Sequence, residues 1–583
     1  MKKIVIAAAI IAAAIIAAGA GAYWYTQHGT SSSASANPLL DYIPADTPVF
    51  SGQLKPFPLK NYLQSISGNY QQYSTDSLAE LGALDSPMAK FFVSIYTQYM
   101  DGIKNPTQLL KTFGLPNEVE PFFYTLGVVP VLKTNVDQID AFWAVLDKAE
   151  KDSGFTHEKR TLAGVDYRAY SLAEEGSTEK VDLLFAHKDG ILTVTLSGTT
   201  IEPEVLEMAF GIKKPTQSLA ASGMLKDIIK THGFMEDSIS FINHVEIVKA
   251  ITSPDGNMLG KQLTQFMAEE SQGEDPFAEI RTPECKAELT AIAANWPRTV
   301  AGLTAFSSTE KESHMAASFV VESKNQAILT ALQKMRGYIP THLADINSTI
   351  FSMGLGIDVN EVAPSLTAIW DDLQKPQLTC APLAELQAEL SQQSPAMLGM
   401  FTGMANGVKG VSLSLLDYKM STQDQEPKLE SLDALVSLTA DNPSMLFNMV
   451  KPFAPMLAEL QVADNGEPTD LSPLLMLPPE MNIKPMLAIK GQHLVVYSGD
   501  KGLALANKLA GEKPSANGLY SMSADYGKMF TPVLTLLELT GEPIPEELQM
   551  LKDYNMRVQM SFDVNKQGIV FGSVMNSKAS EKK

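Results

Sequence analysis

Two short stretches decide the fold, LTVTLSG at Leu192–Gly198 and LVVYSG at Leu494–Gly499. Each is rich in β-branched and apolar residues and ends in Ser-Gly, which is typical of a strand that runs into a turn. A helical pattern follows each stretch, over Glu204–Phe210 and Leu503–Ala510, and a glycine then ends it. Both segments continue into Lys-Pro. This shared order predicts a repeat with a long period.

Further parts of the chain extend the repeat in both directions. A Tyr-Ile-Pro phrase followed by a predicted strand occurs twice, and so does an extended stretch followed by a helix. These matching pairs are Asp41–Pro44 with Val49–Leu54 and Gly337–Pro340 with Thr349–Ile357, then Ile239–Asn243 and Leu519–Ser523.

An asparagine follows three extended apolar runs, and a helical pattern begins just after it. The asparagines are Asn135, Asn325 and Asn442. Asparagine is a favoured N-cap because its side chain accepts a hydrogen bond from a free backbone N–H of the first helical turn. We therefore expect strand-to-helix junctions at these points.

The expected fold class is α+β, with two diverged tandem copies behind an N-terminal transmembrane helix. Each copy is expected to combine a mainly antiparallel sheet with packed helices, because the strands alternate between polar and apolar residues. Met556–Val564 and Gly568–Met575 form the clearest hairpin. The predicted boundaries are 38–336 for the first copy, with a helical insertion at about 59–112, then 337–578 for the second copy and 579–583 for a polar tail.

The N-terminus has the pattern of a signal anchor over residues 1–25. An apolar run from Ile4 to Ala22 follows Lys2 and Lys3, and residues 4–25 are long enough to span the inner membrane. The chain would then be a single-pass protein of the bacterial inner membrane, with its bulk in the periplasm. The alternative is a cleaved signal peptide and a soluble periplasmic protein, because Ala18–Ala22 supplies small-x-small cleavage patterns. Residues 26–37 are expected to be a flexible tether.

Composition limits the class of protein. The 583 residues are 45% hydrophobic and 19% charged, which indicates a globular chain of more than one domain. The formal net charge is −21. Since an acidic surface repels phosphate backbones, we expect no nucleic-acid partner.

The chain contains two cysteines, Cys285 and Cys380. In an oxidising compartment, two cysteines in a large chain suggest one disulfide, which here would join the two predicted copies near their junction. The alternative is a pair of buried free thiols. Neither cysteine has another cysteine or a histidine at ligand spacing, so no metal site is predicted there.

Familiar catalytic and cofactor motifs are absent from the sequence. It contains no HExxH, GxSxG, P-loop or EF-hand pattern. Ser308–Lys311 matches the SxxK pattern of penicillin-recognising enzymes, but it lies in a polar turn between two predicted strands, and a solvated hairpin loop is the favoured interpretation. His244 is interpreted as part of a capping position, and Asp464, Glu467 and Asp470 as a solvated linker. We therefore predict no catalytic residue, no metal and no cofactor.

Methionine is the remaining unusual feature. Several of the 27 methionines cluster, at Met397–Met404, at Met445–Met456, and at Met476, Met481 and Met486. Flexible, polarisable methionine suits a surface that adapts to apolar partners or lipids, although it more often fills gaps in a core. Core packing is the favoured interpretation, and an apolar groove is the alternative.

The layout resembles a family of bacterial envelope proteins with an N-terminal anchor and repeated strand–helix units. The resemblance rests on pattern over most of the exported chain, and its one near-verbatim motif is the phrase YIPADTP at Tyr42–Pro48. It implies a non-catalytic protein of the envelope. It carries over no functional residues.

Three hypotheses about function follow. The first is a membrane-tethered periplasmic binding or scaffold protein without enzymatic activity, which engages another envelope protein. The second is a carrier or sensor of lipids or other hydrophobic ligands with a methionine-lined cleft. The third is a hydrolase of envelope polymers whose site is assembled from distant carboxylates, which would require clustered Asp or Glu side chains with raised pKa values in a deep pocket.

Overall fold

A computed structural model of the chain describes residues 37–66, 86–103, 105–173, 180–270, 275–309, 311–393, 395, 398–403, 405–423, 426–453, 457, 460–477, 483–540 and 556–578. The predicted signal anchor at 1–25, the tether up to residue 36 and the polar tail at 579–583 lie outside these residues. Within the described ranges, no helix is both long and apolar enough to cross a membrane.

The described chain divides into two compact units. Unit 1 contains the residues up to Glu322 together with the short segment Thr379–Leu383. Unit 2 contains Ser323–Leu378 and the residues from Ala384 onward. The division therefore falls ahead of the 336/337 junction predicted from the sequence, and a piece of chain flanked by unit 2 belongs to unit 1.

Unit 1 is built on antiparallel strands. They are β1 Val49–Gln53, β2 Phe122–Leu126, β3 Val129–Asn135, β4 Glu158–Leu162, β5 Val165–Ser171, β6 Val181–Lys188, β7 Ile191–Gly198, β8 Ser238–Asn243, β9 Arg298–Ser308 and β10 Glu312–Glu322. Their spatial order is β10-β9-β8-β1-β2-β3-β7-β6-β5-β4. The first strand in sequence thus lies in the middle of the sheet.

Unit 2 has the same plan. Its strands are β11 Phe351–Gly356, β12 Val408–Gln423, β13 Glu426–Ala440, β14 Thr469–Asp470, β15 Met486–Lys490, β16 His493–Ser498, β17 Tyr520–Asp525, β18 Met556–Val564 and β19 Gly568–Lys578. The spatial order is β19-β18-β17-β11-β12-β13-β16-β15-β14, again fully antiparallel. Strand for strand, this order follows that of unit 1 from β10 to β5.

Helices connect these strands. Those that precede Ser323 are α1 Leu59–Ile66, α2 Pro87–Ile103, α3 Pro106–Phe113, α4 Ile139–Ser153, α5 Pro203–Ala209, α6 Leu219–Ser222, α7 Met224–His232, α8 His244–Thr252, α9 Met258–Glu270 and α10 Pro283–Asn295. Those that follow are α11 Gln326–Lys334, α12 Val359–Gln374, α13 Ala381–Ser391, α14 Leu398–Gly403, α15 Pro443–Val450, α16 Ser472–Leu475, α17 Gly499–Leu509 and α18 Tyr526–Thr540. The region predicted as an insertion, 59–112, holds α1 to α3, and α12 to α14 occupy the same interval between the first two strands of unit 2.

Two of the three predicted asparagine caps form. The side chain of Asn325 accepts the N–H of Ile328 at the start of α11, and Asn442 accepts that of Met445 at the start of α15. Asn135 differs, because its side chain accepts the N–H of Glu120 while α4 begins later. The sequence pattern is the same, but the side chain of Asn135 is bonded to the backbone that leads into β2 and not to the first turn of α4.

In both units the Tyr-Ile-Pro phrase packs against the Lys-Pro turn. In unit 1 the N–H of Leu219 donates to the carbonyl of Ile43, and the Lys214 ammonium lies 5.3 Å from the centre of the Tyr42 ring. In unit 2 the Tyr338 hydroxyl donates to the Glu512 carboxylate. The repeated order of Tyr-Ile-Pro and Lys-Pro therefore corresponds to a contact that recurs in both units.

The predicted fold class requires correction. It placed a transmembrane helix ahead of two α+β copies, whereas none of the helices in the described ranges could span a bilayer. The longer of them carry charged residues among their apolar ones, as α12 does with Glu361, Asp371 and Asp372, and a charged side chain is costly inside a bilayer. The described chain is α+β, with antiparallel sheet and packed helices in each of two units.

Candidate binding surface

The first strands of the two units can be aligned by one shared contact. In unit 1 the N–H of Asn243 donates to Pro48 O, and in unit 2 the N–H of Asp525 donates to Ile350 O. Both residues end a strand, and the side chain of each accepts a backbone N–H of the helix that follows. Counting from these contacts, Gly52 in β1 matches Gly354 in β11.

With this alignment, the inner faces of the two sheets differ in polarity. We use inner face for the buried side that carries Gly52 in unit 1 and Gly354 in unit 2. Unit 1 places the rings of Phe50 and Phe241 there, with centroids 5.3 Å apart. Unit 2 places Ser352 and Ser523 at the same positions, with hydroxyl oxygens 2.9 Å apart.

The opposite sides, the outer faces, show the reverse. Unit 1 carries Ser51 and Ser240 on its outer face, and their hydroxyls are hydrogen bonded at 2.8 Å. At the matching positions, unit 2 carries Met353 and Met522, which lie directly opposite each other on β11 and β17. At these positions unit 1 therefore follows the usual arrangement of apolar residues inside and hydroxyls outside, and unit 2 inverts it.

The outer face of unit 2 is apolar across five strands in one row of residues and across six in the next. One row of directly opposed residues runs Val436, Leu413, Met353, Met522, Met560, and a second runs Leu438, Val411, Leu355, Tyr520, Phe562, Phe571. Residues directly opposite one another on antiparallel strands share a face, so the two rows form one surface. No charged side chain interrupts either row.

Much of this surface is exposed. The exposed fractions are 41% for Met353, 44% for Leu355, 43% for Val411, 37% for Leu413, 47% for Val436, 48% for Met560 and 44% for Phe571. Single exposed apolar residues are common, but a contiguous patch of them usually marks an interaction site. These residues define what we call the open face.

Helix α15 limits the open face on one side. Its Phe447 packs with Leu487, Leu494 and Val496, so it covers the outer side of β15 and β16. In unit 1, α2 and α4 cover the corresponding edge, where Phe91 is fully buried in a cluster with residues of β5 to β7. The open face is thus the central part of the sheet, and a helix covers the flank formed by β15 and β16.

The inner face of unit 2 is held by hydroxyl and imidazole groups. Ser412 and Ser437 have hydroxyls 2.7 Å apart, His342 Nε2 lies 2.8 Å from Ser414 Oγ, and His493 Nδ1 lies 2.8 Å from Thr439 Oγ1. Buried polar groups of this kind are tolerated when they bond to each other. The small serines also let the segment before β11 lie close to the sheet.

Gly354 shows how close that approach is. A Cβ at this position would lie 2.6 Å from Leu343 Cδ2, which is shorter than any normal contact. The inner face of unit 2 is therefore closed by its own chain, by the segment that carries Tyr338, Ile339 and His342. Access to this sheet is from the outer side.

Burial sets the charge of the two inner histidines. Burial lowers the pKa of His342 to about 4, an effect that the Glu512 carboxylate opposes and the Lys508 ammonium strengthens. Burial also lowers the pKa of His493. Both imidazoles are therefore neutral at pH 7, which removes the cost of a buried charge.

Glu512 is the ionised group that borders this network. Burial alone would raise its pKa, but hydrogen bonds donated by Tyr338 and Thr341 outweigh burial, and the pKa is lowered. Thr341 Oγ1 lies 2.7 Å from the carboxylate. Glu512 thus joins the Tyr-Ile-Pro phrase to the turn after α17 as a carboxylate.

The Ser414–His342 pair contains two of the three groups of a hydrolytic triad, but its geometry does not suit catalysis. Ser414 is completely buried beneath its own sheet, and His342 Nδ1 has no hydrogen-bond partner among the described residues. A catalytic nucleophile needs access to substrate and a base that a third group orients. The pair is structural.

Carboxyl groups with raised pKa values occur in unit 1, and each has a structural contact. Burial raises the pKa of Asp46, with a contribution from Glu246, yet the Asp46 carboxylate accepts the N–H of Met258 at the start of α9. Burial also raises the pKa of Glu120, which accepts a hydrogen bond from Asn37, and of Asp237, which lies 3.8 Å from the Lys55 ammonium. These carboxyl groups are tied to separate backbone and side-chain partners.

The residues singled out from the sequence have local roles. Ser308 ends β9, and Thr309 and Lys311 lie in the hairpin turn that leads to β10. His244 lies between the Trp296 carbonyl and the Thr299 hydroxyl. Across the described ranges, no group of three or more His, Cys, Asp or Glu side chains is arranged to hold a metal ion.

Cys285 and Cys380 lie at disulfide distance, with their Sγ atoms 2.11 Å apart. Cys285 is in the first turn of α10, where Thr282 accepts its N–H, and Cys380 lies in the Thr379–Leu383 segment of unit 1. Glu288 of α10 accepts hydrogen bonds from the N–H and the hydroxyl of Thr379, both at 2.7 Å. The pair therefore fixes this segment to α10.

The methionines of the open face were missed by sequence reasoning. Of the predicted clusters, Met397, Met404, Met456 and Met481 lie outside the described residues, while Met445 and Met476 are exposed but belong to other segments. Met353, Met522 and Met560 lie far apart in sequence and are brought into one row only by strand pairing. The signal that could have found them is FSMGLG at Phe351–Gly356, where Ser and Gly alternate with large apolar residues.

Comparison of the chain with protein-family models, with curated proteins and with solved structures found no match. The function is therefore inferred from the geometry of the open face.

Proposed function

We propose that this protein is a non-enzymatic binding or scaffold protein of the bacterial envelope, which engages an apolar partner through the open face of unit 2. The observation that carries this proposal is the inversion of polarity in that sheet. Serines of β11, β12, β13 and β17 are buried on the inner side, while Met353, Leu355 and Val436 face outward. An arrangement that places apolar side chains in water is costly unless another surface covers them.

The shape of the face favours a macromolecular partner over a small ligand. Small molecules are bound mostly in concave pockets that enclose them, whereas a sheet with an apolar side is covered by another layer of structure. The inner face of the same sheet is already covered by its own chain. A partner would complete the second layer.

Two features support an envelope location. The apolar run from Ile4 to Ala22 has the pattern of an export signal, and it lies outside the described residues. The distance between Cys285 and Cys380 suits a disulfide, which persists in oxidising compartments such as the periplasm. Both features favour a chain that acts beyond the cytoplasm, whether its leader is retained or cleaved.

A lipid carrier is the second candidate, and one observation favours it. Met353, Met522 and Met560 lie in one row of the face, and methionine adapts well to acyl chains. Native mass spectrometry of the gently purified chain tests this candidate. A mass increment that fits lipid, and that Met353→Lys removes, would support it, whereas a clean mass without lipid would eliminate it.

The main test is enrichment of cross-linked partners from cells. The full chain is tagged, cross-linked in the envelope and purified, and the wild type is compared with Val436→Lys on the open face. Ile242→Lys is the matched control, because Ile242 is an exposed strand residue on the outer face of unit 1 with a similar exposed fraction of 39%.

We expect enrichment with the wild type and with Ile242→Lys, and its loss with Val436→Lys. Cell fractionation of the same samples gives the compartment. Equal enrichment of all three chains would contradict a binding role for the open face, and recovery of the wild type in the cytosol with reduced cysteines would contradict the envelope location.

A further inference from the structure

The extent of the open face can be estimated from strand geometry. The row from Val436 to Met560 crosses five strands, and four spacings of about 4.8 Å make it roughly 19 Å wide. The second row, from Leu438 to Phe571, lies two residues along the strands, or about 7 Å away. A surface of this size matches another layer of secondary structure and is too large for a single side chain.

The area is compatible with a stable dimer. With about 40–50% of each of seven large apolar residues exposed, the open face offers on the order of 600 Å². Two such faces packed together would bury about 1,200 Å², the lower end of the range of specific protein interfaces. The half-buried neighbours Met522, Tyr520 and Phe562 would add to this area.

Charge favours a copy of the same face over a charged partner. The two rows contain no charged residue, so two copies can meet without like charges in contact, although each chain has a net charge of −21. Two cations of these strands already have partners. Lys409 lies 2.8 Å from the Asp358 carboxylate, and Arg557 lies 2.6 Å from that of Asp525. They offer little attraction to an additional acidic partner.

The arrangement of strands is also suited to self-association. β11 is central among the five strands of the first row, with β12 and β17 on its two sides. A two-fold axis that runs along β11 near Met353 would therefore place β13 of one copy over β18 of the other. Both strands contribute a large apolar residue, Val436 and Met560. A two-fold interface needs a face that is complementary to itself, and an uncharged apolar sheet meets that requirement.

We propose that the occupant of the open face is a second copy of this chain, with two outer faces of unit 2 packed against each other. This inference rests on the proposed function, because it names the partner of the same surface. The dimer would bury Met353 of each copy close to its counterpart.

The test uses two full-length chains with different tags, expressed in the same cells and purified through one tag after cross-linking. Co-purification of the second tag measures pairing. Met353→Lys places two positive charges near the proposed axis, and Met353→Glu places two negative charges there. When one tagged chain carries lysine and the other glutamate, opposite charges face each other.

We expect wild-type chains to pair, chains with Ile242→Lys to pair equally well, and Met353→Lys chains to pair at least tenfold less with each other. Mixing Met353→Lys with Met353→Glu should restore most of the pairing. That rescue cannot come from a variant that fails to fold. Unchanged thermal unfolding of each variant provides a second check.

Two results would overturn the inference. Wild-type chains that never co-purify exclude a dimer, and Met353→Lys chains that still pair exclude this face as its interface. If the wild type fails to pair but still enriches a different envelope protein in a manner that Val436→Lys abolishes, the self-association fails while the proposed function stands. If neither partner is found, both fail.

Discussion

Ser352 and Ser523 share a hydrogen bond inside unit 2, with hydroxyl oxygens 2.9 Å apart and less than 3% of either residue exposed. Removing one hydroxyl leaves the other buried without its partner, which costs about 1–3 kcal/mol, whereas removing both is close to neutral. We therefore expect Ser352→Ala or Ser523→Ala to lower the free energy of unfolding by about 1–2 kcal/mol, and the double variant to recover most of it.

Unit 1 supplies the matched control for this double-mutant cycle. Ser51 and Ser240 form the same cross-strand bond at 2.8 Å, but both are half-buried on the outer face. Water can replace a lost partner there, so Ser51→Ala should cost less than about 0.5 kcal/mol. Chemical denaturation measures all five proteins. Additive losses in unit 2, or a loss from Ser51→Ala equal to that from Ser352→Ala, would contradict the buried character of the unit 2 pair.

Unit 2 should lose stability in mild acid. The folded pKa of His342 is lowered to about 4, so between pH 6.5 and pH 4 the unfolded chain binds a proton that the folded chain does not. Stability therefore falls as the pH falls through this window, by up to about 3 kcal/mol from His342. His493 acts in the same direction.

Hydrogen exchange of peptides from β11 and β12 measures this loss, with β1 of unit 1 as the internal control. His342→Gln keeps a polar side chain opposite Ser414 but cannot be protonated. We expect it to flatten the pH dependence of exchange in β11 and β12. Wild type and variant with the same slope between pH 7 and pH 5 would show that His342 is not the group responsible.

Lys133 should destabilise unit 1 at neutral pH. It is 3% exposed, it donates to Thr193 Oγ1 at 3.0 Å, and burial, with help from the Lys188 charge, lowers its pKa to about 7. The unfolded pKa is higher, so the penalty appears as the pH falls below about 10 and is complete near pH 7.

Lys133→Met removes the charge and keeps the length of the side chain. We expect it to raise the free energy of unfolding by on the order of 3 kcal/mol at pH 7 and by about 1 kcal/mol at pH 10. Denaturant titrations at the two pH values provide the comparison. A loss of stability at pH 7 would indicate that the ammonium group makes a contact more valuable than its burial costs.

The Cys285–Cys380 pair should add to stability by closing a long loop. The two residues are 95 apart in sequence, and a loop of that size is worth about 4–5 kcal/mol in the chain-entropy description. Cys285→Ala, Cys380→Ala and the double variant should therefore lose similar amounts. Thiol labelling of the unfolded, unreduced wild-type chain should find no free cysteine, and a labelled chain would contradict the bond.

The individual strands, hairpins and helix caps of this fold could be predicted from the sequence, but not which face of each sheet is buried. The strand at Leu192–Gly198, the hairpin of Met556–Val564 with Gly568–Met575 and the caps at Asn325 and Asn442 depend on residues close together in sequence. These signals are local, so periodicity and capping rules detect them.

Which side of a strand is buried depends on residues that contact the strand but lie outside it in the sequence. FSMGLG at Phe351–Gly356 alternates in the expected way, but the usual rule would bury its Met and Leu and expose its Ser. The opposite outcome follows from Leu343 and Ile339, which lie against Gly354 on the inner face. The open face was missed for this reason.

The position of β1 has a consequence for how the chain matures. β1 pairs with β2 on one side and with β8 on the other, and β8 begins only at Ser238. A chain that emerges N-terminus first, from a ribosome or a translocation channel, must hold Val49–Gln53 with one edge unpaired until β8 appears. β11 likewise has one edge unpaired until β17 has been made. Each sheet can therefore close only late in synthesis, and during that delay its central strand is vulnerable to misassembly with neighbouring chains.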